Sequence, residues 1–137
     1  MAIAKWATPS ALSANFAGTS LNSLANASES AVVTYDNSTN RDLYGIVTIL
    51  LGSITPATGG SVSVRITLSD GTNTADKVGG DVYTVGLTTG ASAKVVVVNM
   101  VRLYPFSLRF SVLNNAGVAF AATGNSLFVR PFNEDVT

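Results

Sequence analysis

Because the 137 residues contain no histidine and no cysteine, the side chains that could do catalytic chemistry are carboxylate pairs, lysines and Ser–Lys arrangements. Without histidine the commonest general base and metal ligand is absent. Without cysteine there are no disulfides and no thiolate metal sites. The carboxylates are Glu29, Asp36, Asp42, Asp70, Asp76, Asp81, Glu134 and Asp135. Nearly all lie in turn sequences or at strand ends, where backbone capping is the ordinary role of such residues. We therefore expect no catalytic residues, and we predict that the protein is not an enzyme.

The segment around Asp70 comes nearest to a metal-binding loop. Asp70, Asn73 and Asp76 offer the hard oxygen donors that Ca²⁺ prefers. Their spacing differs from the EF-hand alternation, and no glutamate closes the set as a bidentate ligand. A hairpin loop is the better interpretation, and we predict neither a metal site nor a cofactor site.

Composition limits the kinds of partner that the chain can have. Charged residues make up 12 % of the sequence, about half of the usual 25 %, and eight basic residues balance eight acidic ones. A neutral chain with scattered basic residues has no electrostatic basis for binding nucleic acid. Its apolar runs fall far below the roughly 18 residues of a membrane span, and its N-terminus lacks the pattern of a secretory signal. We expect synthesis in the cytoplasm, no nucleic-acid, membrane or small-molecule partner, and a surface suited to contact with other proteins.

Most of the chain after residue 30 predicts β-strands. Residues 61–69 and 106–113 alternate apolar and polar side chains, the period of a strand with one wet face. Within residues 94–103, four consecutive valines favour a strand that is covered on both faces. The remaining predicted strands are residues 31–36, 43–51, 81–87, 118–121 and 127–132. Eight short strands separated by Gly, Asn, Asp and Pro turns predict a single antiparallel β-sandwich, and the number of strands favours a jelly-roll-like one.

The first 30 residues differ from the rest, since they are rich in Ala, Ser and Asn and show no steady apolar period. We divide the chain into an extended N-terminal arm, residues 1–30, and a β-sandwich domain, residues 31–137. Apolar residues outside a core usually pack on something else. The arm's candidate contacts with another subunit or with a capsid are Trp6, Phe16, Leu21 and Leu24.

Three segments together resemble a recurring family of small virion proteins of tailed bacteriophages. They are "TSLNSLANASES" at residues 19–30, "DNSTNRDLYGIVTILLGSITPATGGSVSVRI" at 36–66 and "PFSLRFSVLNNAGVAFAATGNSLFVRPFNE" at 105–134. The shared patterns are T-x-L-N-S-L-A-N, D-N-x-T-N-x-D-L-Y and N-x-x-G-V-A-x-A-x-x-G-N-x-L-x-x-R-x-x-N-E. The likeness covers most of the chain. The region of residues 69–93 is shorter than the corresponding region of the family and less similar to it. The resemblance implies a structural component of a phage particle.

Within a virion, the absence of visible chemistry favours a capsid cement or decoration protein. Such a protein would sit on the outside of the phage head, in contact with the major capsid protein and with copies of itself, as a homotrimer. A tail, neck or head-fibre base component is the alternative within the virion. A carbohydrate-binding module is a third hypothesis, and it would need exposed aromatic rings from Tyr35, Tyr44, Tyr83 or Tyr104.

Overall fold

The computed structural model describes residues 3–11, 13, 18–76 and 81–136, and within them the protein is all-β apart from one short helix. No helix in these ranges has the length and apolar character that crossing a membrane requires. The elements in chain order are β1 (Ala4–Trp6), α1 (Gly18–Leu21), β2 (Val33–Asp36), β3 (Tyr44–Ile54), β4 (Ser61–Thr67), β5 (Asp81–Gly86), β6 (Ser92–Arg102), β7 (Ser107–Asn115), β8 (Ser126–Phe132) and β9 (Glu134–Val136).

The strands form two main antiparallel sheets, which confirms the predicted β-sandwich. One sheet has the order β2-β7-β4-β5 and the other the order β6-β3-β8, while β1 and β9 form a separate two-stranded ribbon. The pairings are nested along the chain, with β4–β5 innermost, then β3–β6, then β2–β7. This nesting folds one long antiparallel hairpin over itself, so the strand order is jelly-roll-like.

The core lies between the two sheets and is built by strict alternation along the strands. From the four-stranded sheet, Phe110 at the centre of β7 is wholly buried, and its register partner on β4, Ile66, is also buried. From the three-stranded sheet, Val47, Ile49 and Leu51 of β3 face inward. The alternation predicted for residues 61–69 and 106–113 is therefore confirmed at its buried positions, because a period of two places every second side chain on one face.

Residues 118–121, predicted as a weak strand, are not a strand in the structure. They form a loop over one edge of the core, where Phe120 is buried and its N–H donates to the carbonyl of Leu24 at 3.0 Å. Gly117, at φ 83°, turns the chain away just before this segment. The prediction was wrong because the apolar side chains here close the end of the sandwich instead of extending a ladder.

The N-terminal segment occupies the place beside β8 where an eighth strand would lie. The N–H groups of Ala7, Ser10 and Ser13 donate to the carbonyls of Asn133, Pro131 and Val129 at 2.8–3.0 Å. Every third residue bonds, so the segment follows β8 without forming a regular ladder. Residues 4–11 and Ser13 thus lie along the sandwich from the ribbon to the middle of β8.

Candidate interaction surface

The two outer faces of the sandwich differ in character, and the face of the four-stranded sheet is polar. Its outward positions carry Ser, Thr and Arg, among them Arg65 on β4 and Ser111 on β7, which pair in register. Glu29 lies over them, with its Oε1 accepting from Arg65 Nε at 3.0 Å and from Ser111 Oγ at 2.5 Å. The polar groups of Arg65 and Ser111 on this face therefore have hydrogen-bond partners within the chain.

The outer face of the three-stranded sheet is mostly apolar, and we call it the apolar face. Its outward side chains come from all three strands and from the N-terminal ribbon. Among them are Tyr44, Ile46, Thr48 and Leu50 of β3, Val95, Val97, Met100 and Arg102 of β6, Ser126, Phe128, Arg130 and Phe132 of β8, and Trp6. Exposed fractions are 67 % for Val95, 41 % for Val97, 56 % for Met100 and 60 % for Trp6. A contiguous exposed apolar surface of this kind marks a contact site.

An aromatic cluster forms one end of the apolar face. Tyr44 and Phe132 stack with ring centroids 5.5 Å apart, and Trp6 meets both edge-on, at 6.2 Å and 5.4 Å. The hydroxyl of Tyr44 also lies 3.4 Å from a carboxylate oxygen of Glu134. Edge-on and stacked rings are favourable geometries for aromatic pairs, so the cluster holds Trp6 in place while leaving most of its surface exposed.

The run of four valines in β6 explains why the face is uncovered. Val96 and Val98 are buried in the core, whereas Val95 and Val97 face outward with nothing of the described chain over them. Within a single copy of the chain, the prediction that both faces of this strand are covered was wrong. Its physical reason is that the described elements provide only two layers, and the part that lies over this sheet, Trp6 of β1, contacts Tyr44 and Phe132 and leaves Val95 and Val97 exposed.

The free edge of β6 is poorly suited to adding another strand. Lys94 points inward near the start of β6, where its Nζ donates to Gly90 O at 2.9 Å and to Ser92 Oγ at 2.8 Å. Farther along, Met100 has φ 42° at a register shift against β3. Inward charges and bulges both discourage edge-to-edge pairing. Contact through the face is therefore favoured over contact through the edge.

The four predicted contact residues of the arm fall in different places. Trp6 lies on the apolar face, and Phe16 lies outside the described residues. Leu21, at the end of α1, is wholly buried in the core, and Leu24 packs half-buried against it. Leu21 thus contributes to the core of its own chain, while Trp6 carries the exposed apolar surface. The outward residues of β3, β6 and β8 were not predicted as contact residues; the available signal in the sequence was the run of β-branched residues from Val95 to Val98.

Two of the carboxylates, Asp36 and Asp70, cap the backbone of turns. Asp70 accepts from the N–H groups of Thr72 and Asn73 at 2.8 Å and 2.7 Å, and from Asn73 Nδ2 at 3.0 Å. These hydrogen bonds, first those from Asn73, lower the pKa of Asp70 from 3.8 to about 2. Hydrogen bonds from Ser38 likewise lower the pKa of Asp36. Across the described ranges, no three acidic side chains are grouped so that they could hold a metal ion.

Three buried asparagines in the resembling segments brace loops instead of forming a site. Asn37 donates to the carbonyls of Asp42 and Tyr104 at 2.9 Å and 2.8 Å. Asn125 accepts from Gly52 N–H at 3.1 Å. Both side chains are at least nine-tenths buried, as is Asn114, and each spans segments that are far apart in sequence. The shared motifs therefore include residues that hold this fold together.

No protein-family model matches the sequence, and comparison with curated proteins also gives no match. The structure itself defines an all-β sandwich with one polar outer face and one apolar outer face.

Proposed function

We propose that this protein is a non-enzymatic structural component of a tailed-phage virion, and specifically a capsid cement or decoration protein. The observation that carries the proposal is the apolar face, which a chain of only 12 % charged residues exposes on one side of a small sandwich. A large exposed apolar patch marks an interaction site, and we assign this one to contact with another protein. The resemblance of three segments to phage virion proteins supports the particle as the place where that covering protein is found.

The mechanism is mechanical and additive. The protein is made in the host cytoplasm and joins the outside of the head, where it contacts the major capsid protein and copies of itself. Pressure from packaged DNA pulls capsomers apart, and a clamp across their junction opposes that separation. Each contact can be of ordinary size, about 800 Å² per partner, because many copies act together on one shell.

Counting copies tests the proposal. In purified particles of the phage that carries this gene, quantitative gel analysis against the major capsid protein should give hundreds of copies per particle. Particles that lack the protein should release DNA at a lower temperature or after a milder osmotic shock. A few to a few dozen copies would instead assign the protein to the tail, the neck or a head-fibre base.

The aromatic cluster favours one further candidate, a carbohydrate-binding role in adsorption. Trp6, Tyr44 and Phe132 offer ring surface, and Arg130 lines the adjoining hollow as a polar group. Tyr35 and Tyr83 pack against the core and offer little. Binding of the purified protein to a glycan array, lost on Trp6→Ala, would support this role over a purely structural one.

A further inference from the structure

We infer that the apolar face is covered by the apolar face of a second copy of this chain, related by a two-fold axis. The axis lies midway between the three-stranded sheets of the two copies, in the plane of the interface and perpendicular to the strands. This inference deepens the proposed function, on which its place in the virion rests, by naming the partner of that surface, and it predicts a pair in place of the homotrimer expected from the sequence. The packing itself can be tested on the purified chain.

The register of the three strands makes the face self-complementary. Outward side chains at the same register position on β6, β3 and β8 form a row across the sheet, and we name each row by its β3 residue: Tyr44, Ile46, Thr48 or Leu50. A two-fold axis over the middle of these four rows reverses their order in the second copy. The Tyr44 row of one copy then lies over the Leu50 row of the other, and the Ile46 row over the Thr48 row. Isologous contact of this kind uses the same patch on both subunits.

Side-chain sizes match across that packing. The Tyr44 row carries Phe132 on β8, and the Leu50 row carries the small Ser126. The bulky aromatic end of each copy therefore meets the aliphatic and small end of its partner. With the axis parallel to the strands, each row would face the same row of the other copy. The two bulky aromatic clusters would then meet and would hold the rows that contain Ser126 apart.

Charges match as well. Arg130 pairs in register with Ile46, and Phe128 pairs with Thr48, so the two-fold places each Arg130 over Phe128 of the other copy. A guanidinium over an aromatic ring is attractive. Arg102, in the Tyr44 row, comes to lie over Val95 in the Leu50 row. No two like charges on β6, β3 or β8 face each other in this arrangement.

The area of the face predicts a weak pair. Six residue steps from Tyr44 to Leu50 span about 20 Å, and three strands span about 15 Å, so the projected patch is about 300 Å² per copy. A standard interface buries about 800 Å² per partner. The pair would therefore bury about 600 Å² in total, less than the roughly 1,200 Å² of a stable interface, so association should be weak and transient, depend on concentration and strengthen where copies are crowded.

Sedimentation velocity on the full chain tests the inference, using Val97→Arg and a matched control. Val97 is 41 % exposed on the apolar face, and Val82 of β5 is 47 % exposed on the polar sheet, so Val82→Arg introduces the same charge at equal exposure elsewhere. Loading concentrations from about 10 µM to 1 mM cover the affinities of small interfaces. We expect the wild type to approach about 28 kDa, twice the 14.1 kDa of one chain, as concentration rises.

Val97→Arg should raise the dissociation constant at least tenfold, whereas Val82→Arg should leave it within a factor of two. Unchanged circular dichroism and melting temperature establish that both variants fold. A second pair tests the register, because the two-fold places Val97 near Met100 of the other copy. Val97→Glu and Met100→Lys should each weaken the pair, and the double variant should recover at least part of the loss.

Several results would overturn the inference. They are a wild type that stays monomeric at 1 mM, a trimer, a dimer indifferent to Val97→Arg, and a double variant without recovery. A monomeric wild type whose Val97→Arg variant no longer joins phage particles would assign the face to another virion protein. The count of copies per particle is measured separately, so failure of the pair and failure of the virion role are distinguishable.

Discussion

Replacing Asn114 with alanine should destabilise the protein strongly, although the residue lies far from the apolar face. Its side chain is wholly buried, and its Nδ2 donates to the carbonyls of Leu24 and Val118, each at 2.8 Å. Its Oδ1 accepts from the N–H of Ala116 at 2.9 Å. Three hydrogen bonds at about 1 kcal/mol each give a loss of about 3 kcal/mol. For a domain of this size the melting temperature should fall by about 10 °C.

Urea denaturation followed by circular dichroism measures the effect, with Asn115→Ala as the control. Asn115 is the next residue of β7, has the same side chain and is exposed, so its replacement should cost under about 0.5 kcal/mol. Asn114→Asp keeps the size but turns a carboxylate, which only accepts hydrogen bonds, toward two carbonyls. At pH 7 it should destabilise at least as much as Asn114→Ala. Equal midpoints for Asn114→Ala and Asn115→Ala would refute the reasoning.

The remaining predictions concern the core, the Asp70 turn and the N-terminal segment. Phe110→Ala should cost about 3–5 kcal/mol in the same urea assay, and Arg109→Ala under about 0.5 kcal/mol; the reverse order would mean a strand slipped by one residue. Asp70 has a lowered pKa, so its stabilisation is complete above 3.8 and disappears as pH falls through about 2. Asp70→Asn should therefore flatten the pH dependence of the melting temperature between these values, and an unaltered pH profile would contradict it. Deleting residues 1–13 should lower the melting temperature by a few degrees and keep the transition cooperative; loss of cooperativity would show that the core needs this segment.

The strands with one wet face could be predicted from the sequence because their period is local. Val62, Val64 and Ile66 alternate with polar residues, and all three are buried. Their neighbour Ser63 is also buried, although it faces outward, and its hydroxyl forms a hydrogen bond of 2.7 Å with that of Thr84 on the neighbouring strand β5. The alternation therefore gives the direction of each side chain, but the amount of cover over the outer face depends on strands elsewhere in the chain.

The apolar face could not be predicted, for a related reason. A run such as Val95 to Val98 indicates that both faces of a strand avoid water, and it does not indicate which molecule covers them. The hydrogen bonds of Asn114 could not be predicted from the sequence either, because its bond to Leu24 joins residues 90 positions apart. Ala7, Ser10 and Ser13 bond along β8, but the sequence around them has no apolar period, so no pattern distinguishes this segment from a detached arm.

The pairing of β1 with β9 has a consequence for how the chain is made. Ala4 pairs with Val136 and Trp6 with Glu134, so β1 is synthesised well before the strand that it pairs with. At about 5–20 residues per second, the roughly 125 residues between Trp6 and Phe132 take about 6–25 s to synthesise. During that time the nested inner pair β4–β5 can already close, whereas Trp6 has no Phe132 to pack against. The aromatic end of the surface is therefore among the last parts of the sandwich that can assemble during synthesis.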